Sequence, residues 1–159
     1  MIRKATKEDL PAILPIYAAA RAYMRKNGNM TQWDGIDAPE LQLENDIRLG
    51  QLYVWEKDSI HGAFAFIIGE DATYQTIEDG AWLSDSLYGT IHRLGSDGQH
   101  KGVFADMIQW ASAQIPHLRA DTHSANATMQ YVLQKNGFRR VGVIYVPDGS
   151  PRIAFERLN

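Results

Sequence analysis

One segment of this sequence has the residue types and spacing to hold an anion. Gly95-Ser96-Asp97-Gly98-Gln99-His100-Lys101-Gly102 is a polar loop with three glycines. It follows a strand-like segment that ends at Leu94. It precedes the helical stripe Phe104, Met107, Ile108, Ala111 and Ile115. The first turn of any helix leaves backbone N–H groups without acceptors, and the helix dipole adds positive potential at the same place. Glycine lets a phosphate approach the backbone closely, and Lys101 adds a positive charge. A P-loop would need Gly-Lys-Ser/Thr, but Lys101 precedes Gly102 and Val103 follows it. The dinucleotide fingerprint Gly-x-Gly-x-x-Gly is absent as well. A flexible, glycine-capped loop with no ligand is the competing reading. Asp121 and His123 are metal-type donors, but the spacing brings them no third ligand, so no metal is expected.

The elements that must position this loop read as follows. Met1–Thr6 is a short strand. Thr6 and Asp9 form a weak capping box for a helix over about 8–26, with Leu10, Ile13, Leu14 and Tyr17 on one face. That helix ends near Asn27-Gly28-Asn29. A polar loop holds Trp33, Asp34 and Pro39, and a second helix covers about 40–49. Gln51–Glu56 and Gly62–Gly69 are strands joined by a turn at Lys57-Asp58-Ser59. Ala72–Leu83 has no firm periodicity. Leu87–Leu94 is a strand, and the helix after the glycine loop stops at Pro116. Leu118–Asp121 is a strand and Ser124–Asn136 a helix. Val141–Val146 and Arg152–Arg157 form a terminal hairpin. This is one mixed α/β domain with helices on both sheet faces.

Composition narrows the function classes. In 159 residues there are 16 Lys plus Arg and 19 Asp plus Glu, a net charge of -3, and no cysteine. Disulfides, thiolate metal sites and a cysteine nucleophile are excluded, and a reducing compartment fits. The charge balance does not favour nucleic acid or an anionic membrane as partner. The longest apolar run, Gly62–Gly69, is far short of the ~18 residues a membrane span needs. Leu10–Ala22 imitates a signal peptide, but Glu8, Asp9, Pro11 and Pro15 interrupt the pattern, so a cytoplasmic location is expected.

Gln99-His100-Lys101-Gly102-Val103-Phe104 resembles the pyrophosphate loop of the GNAT superfamily of acetyl-CoA-dependent N-acetyltransferases. The family pattern is Arg/Gln-x-x-Gly-x-Gly/Ala. Gln99 and Gly102 match it, and Phe104 departs from its last position. Asp121–Met129 and Lys135-Asn136-Gly137-Phe138 resemble the family's next motif, in which an Asn opens a helix and Lys-x-Gly-Phe closes it. Ile2–Leu10 resembles a GNAT amino terminus, and Gln32-Trp33-Asp34 an acceptor-side loop. The resemblance runs in order over essentially the whole chain.

The resemblance implies the GNAT fold: a central, mostly antiparallel sheet splayed between strands 4 and 5, with helices on both faces. It implies transfer of an acetyl group from acetyl-CoA to a primary amine of a small molecule or a peptide, by direct attack. The backbone of Leu94 and Gly95 would pair with the pantetheine arm. Gln99, His100, Lys101, Gly102, Val103 and Phe104 would wrap the pyrophosphate. Asn126 would bond the pantetheine or position the adjoining loop. Tyr23, Trp33 and Asp34 would shape the acceptor pocket, Trp33 either stacking on substrate or capping the core.

Many family members use a Tyr as general acid four residues before the Gly of Gly-Phe; that position is Leu133. Tyr131 lies about 200° around the helix from it, and Tyr145 is a looser substitute. His92 and His123 are the candidates for a general base. Strand alternation would put His92 on the same face as Leu94. A structural hydrogen bond is the competing role for each histidine. A homodimer stays open. The alternative functions are a catalytically silent CoA-binding module and an unrelated phosphate-binding domain.

Overall fold

The computed structural model describes the backbone of residues 1–159 and the side chains of all but residue 36. The elements are β1 (Ile2–Lys4), α1 (Leu10–Lys26), α2 (Leu43–Arg48), β2 (Leu52–Glu56), β3 (Ile60–Ile68) and β4 (Gly89–Ser96), followed by α3 (Val103–Gln114), β5 (Leu118–Thr122), α4 (Ala127–Lys135), β6 (Arg139–Tyr145) and β7 (Pro151–Arg157). Their order is the expected one; the boundaries move. α2 begins at Leu43 because Pro39–Leu41 forms a separate helical turn. α4 begins at Ala127 because Asn126 caps it: Asn126 Oδ1 accepts from the Met129 N–H at 3.0 Å. On α1 the buried face is Ile13, Ile16, Tyr17 and Met24. Leu14, assigned to that face by spacing, is exposed.

The seven strands make one sheet in the order β1-β2-β3-β4-β5-β7-β6. Every neighbouring pair is antiparallel except β4 and β5. Side chains alternate across the sheet. Phe64 and Phe66 therefore face α3 and α4, while Ala63 and Ala65 face α1. The first face joins Met107, Ile108 and Ala111 of α3 to Met129 and Leu133 of α4. Each fully buried Leu, Phe or Met is worth about 1.5–3 kcal/mol. The second face carries α1 and α2 over β2 and β3, and the segment 72–88 over β6 and β7.

Two irregularities in β4 create the site. First, β4 and β5 pair only at Gly89↔Leu118 and Thr90↔Arg119, and beyond Thr90 the strands part. This is the splay expected between strands 4 and 5. Second, β4 contains a bulge. Ala63 faces Gly95 and Ala65 faces His92, so three residues of β4 are traversed for two of β3. Arg93 takes up the extra length at φ 55°, the left-handed conformation common at bulges. Alternation breaks there. His92 and Arg93 both lie on the α2 side, and Leu94 returns to the α3 side. The expectation that His92 and Leu94 share a face is thus overturned, because a single strand's sequence carries no sign of its partner's register.

Candidate active site

Two cavities flank β4. The first, about 360 Å³, lies between α1, the end of β4, the glycine loop and α4. Leu94, His100, Gly102, Val103, Phe104 and Asn126 all line it. Gly102 is the N-cap of α3 at φ 78° and caps no N–H with a side chain. The helix's first internal bond runs from the Asp106 N–H to the Gly102 carbonyl. The N–H groups of His100 through Ala105 therefore have no hydrogen-bond acceptor among the described residues. Six consecutive free amides at a helix start are a concentrated anion site.

Some predicted cofactor residues stand elsewhere. Gln99 and Lys101 are exposed and do not line the cavity. Gly95 is buried beside it, and a Cβ there would meet the Tyr17 ring at 2.9 Å. Glycine at 95 thus admits the aromatic pair Tyr17–Trp33. Asn126 lines the cavity with its side chain fully engaged, since Nδ2 donates to Gln32 Oε1 at 3.0 Å. Tyr23 is a correction: it lines this first cavity, not an acceptor pocket, and its Oη lies 3.1 Å from Thr128 Oγ1. Tyr131 and Lys135 were missed. Both line the cavity, with Lys135 Nζ 5.8 Å from the Tyr131 ring. The i, i+3/i+4 spacing of Thr128, Tyr131 and Lys135 on one helix face was the available signal.

The second cavity, about 290 Å³, lies on the other side of β4. Trp33, Asp37, Asp71, Thr73, His92, Arg93 and Arg152 are among its walls. Trp33 lines it and is buried, edge-on to Tyr17. Asp34 is exposed and lines neither cavity. His92 Nε2 lies 2.9 Å from Asp71 Oδ2. Burial pushes the Asp71 carboxyl up, but hydrogen bonds from His92 and Thr73 outweigh it and hold the group well below the usual carboxylate range. An ionised Asp71 can only accept, so Nε2 carries a proton, and in the neutral ring Nδ1 is the nitrogen with the lone pair. Asp71 was not found from sequence, because 21 residues separate it from His92 and only the folded β3–β4 connection brings them together.

The other two catalytic candidates fall outside both cavities. His123 Nδ1 accepts from the Ala125 N–H at 3.0 Å, which places the ring proton on Nε2, 2.9 Å from Thr31 Oγ1. Burial, and then the nearby Arg152 charge, lower its pKa. His123 is thus a neutral ring whose one lone pair already caps a turn. Tyr145 Oη donates to Glu78 Oε2 at 3.0 Å, and that carboxylate raises the phenol's pKa. Leu133, at the position of the usual family Tyr, is fully buried. Asp121 accepts from Tyr74 Oη at 2.6 Å.

No protein-family model matches this sequence, and no curated protein matches it. Solved structures do. A GNAT-family acetyltransferase from Streptococcus agalactiae is 29% identical over 100% of this chain and 95% of its own, with a TM-score of 0.91. The chain has the fold of the GNAT-family acetyltransferases. The same fold, at 18% identity, is shared by a GNAT-family acetyltransferase from Listeria monocytogenes, with TM-score 0.70 over 100% of this chain and 94% of that one. It is shared too by the ribosomal-protein-alanine N-acetyltransferase from Brucella melitensis, with TM-score 0.60 over 100% and 99%. The two cavities of this chain lie on either side of the splayed strand. No helix among its described residues is long and apolar enough to cross a membrane.

Proposed function

We propose that the protein transfers an acetyl group from acetyl-CoA to a primary amine of a small molecule or a peptide, by direct attack in a ternary complex. The observation that carries this reading is the run of free amides from His100 to Ala105 at the mouth of a cavity leading to the parted edge of β4. A pyrophosphate fits those donors, and the edge beyond Thr90 has room for an extended, amide-bearing arm. Acetyl-CoA supplies the activated acyl group. His92, oriented by Asp71, takes the proton from the incoming ammonium through Nδ1. Trp33 and Arg152 shape the acceptor side. The departing thiolate takes its proton from water, in keeping with Leu133 at the usual Tyr position.

Calorimetry with acetyl-CoA on the parent protein and on Gly102→Glu tests this. The parent should bind one equivalent. The variant should stay folded and bind about ten- to a hundred-fold more weakly, the size of anion effects at helix starts plus like-charge repulsion. A Cβ at Gly102 meets no neighbour, and the left-handed φ of 78° costs the variant about 1–2 kcal/mol of backbone strain, so its far-ultraviolet dichroism is compared with the parent's. Equal affinity in both proteins would remove the cofactor assignment. Thiol release across an amine panel then separates an enzyme from a silent CoA-binding module, the reading that the buried Leu133 favours.

A further inference from the structure

We propose that Asp58, His61 and His100 form a binding site for a divalent transition-metal ion of the zinc type. The three residues come from two places. Asp58 and His61 flank the turn between β2 and β3, and His100 lies in the glycine loop. One donor atom of each falls within 4.8 Å of the others. His61 Nε2 and Asp58 Oδ1 are 3.0 Å apart. Ligand atoms held tetrahedrally at about 2.0–2.1 Å from zinc are about 3.3 Å apart, so this pair needs almost no adjustment. Two imidazoles and a carboxylate are a donor set that zinc favours, with a fourth position left for water.

Independent support comes from behind the ring. Asp97 Oδ2 lies 2.8 Å from His61 Nδ1. This carboxylate accepts a hydrogen bond from Nδ1–H, the arrangement that orients histidines at metal sites, and the Nε2 proton now shared with Asp58 Oδ1 leaves to solvent when the ion takes its place. The Asp97 N–H also donates to the His61 carbonyl at 3.0 Å, fixing the loop against the hairpin. His61 is buried, while Asp58 is open to solvent, so an ion has both a rigid anchor and an entry path. The Trp55 ring, 5.3 Å from His100 and 6.2 Å from His61, forms an apolar wall. Sequence spacing did not show this set, because the third ligand lies 39 residues beyond His61 and arrives only through the β3–β4 pairing.

The test uses untagged full-length protein, freed of metal, titrated with Zn²⁺ by calorimetry and with Co²⁺ by visible absorption. The expected result is one saturable equivalent of zinc and the intense visible bands of tetrahedral cobalt. His100→Ala and Asp58→Ala should each weaken zinc binding at least tenfold with an unchanged far-ultraviolet dichroism spectrum. Absence of saturable one-to-one binding, or parental affinity in both variants, would overturn the site. His100 and Asp58 are not core residues, so loss of folding does not confuse the reading. Neither readout depends on acetyl-CoA.

Discussion

His92 and His123 look alike in the sequence, each near the end of a strand that borders the splay. Their partners separate them. His92 is held by the ionised Asp71 with a lone pair left free, whereas the lone pair of His123 is spent on the Ala125 N–H. His92→Ala should therefore lower kcat by about 10²–10⁴-fold, the usual range for a lost general base, with acetyl-CoA affinity unchanged. Steady-state kinetics with the first acceptor identified, combined with calorimetry, checks both halves. Asp71→Asn should lower kcat at least about tenfold, because the amide no longer fixes the ring proton. Thr73 keeps its Oδ1 partner in that variant, so the local turn survives. The glycine loop was legible because its chemistry is local, built on backbone N–H groups and one helix start. The Asp71–His92 pair was not, because tertiary pairing creates it.

At the scale of elements, the strand and helix order followed from periodicity. The segment 72–88 did not, because its structure is imposed by distant side chains. Glu156, with no solvent exposure, accepts from the Leu83 N–H and binds His117 and Arg119. Arg119 in turn lies 4.0 Å from the rings of both Trp82 and Tyr88. These contacts fasten the segment to β5 and β7. Glu156→Ala leaves buried donors and cations unpaired and should cost about 3–5 kcal/mol, readable as a lower urea midpoint at an unchanged slope.

At the amino end, Arg3 grips Asp9 through two bonds of 2.9 and 3.0 Å and reaches Glu56 at 3.1 Å. The Arg3 guanidinium holds the Asp9 carboxyl down at about 2, against an ordinary value of 3.8. The folded pKa lies below the unfolded one, so this contribution is present above about pH 4 and is lost as pH falls toward 2. Its size is about 1 kcal/mol, as for a partly exposed ion pair. Asp9→Asn should remove that part of the acid dependence. A parental slope between pH 4 and 2 in the variant would contradict the assignment.

For the molecule as a whole, the β4 bulge matters most: one strand serves two cavities, Leu94 facing one while His92 and Arg93 face the other. Occupying the first cavity should stabilise the entire fold. Acetyl-CoA at a hundred times its Kd should add about 2.7 kcal/mol to the unfolding free energy, and a thermal scan at rising concentrations measures it. The parted pair β4–β5 has a consequence of its own. Proteins keep bare strand edges at the rim of a sheet and guard them there against foreign pairing. This sheet places such an edge at its middle, beside the first cavity. Past Thr90 the sheet is two leaves bound along a short spine, and under the proposed function an incoming ligand with amides of its own would be the missing rung between them.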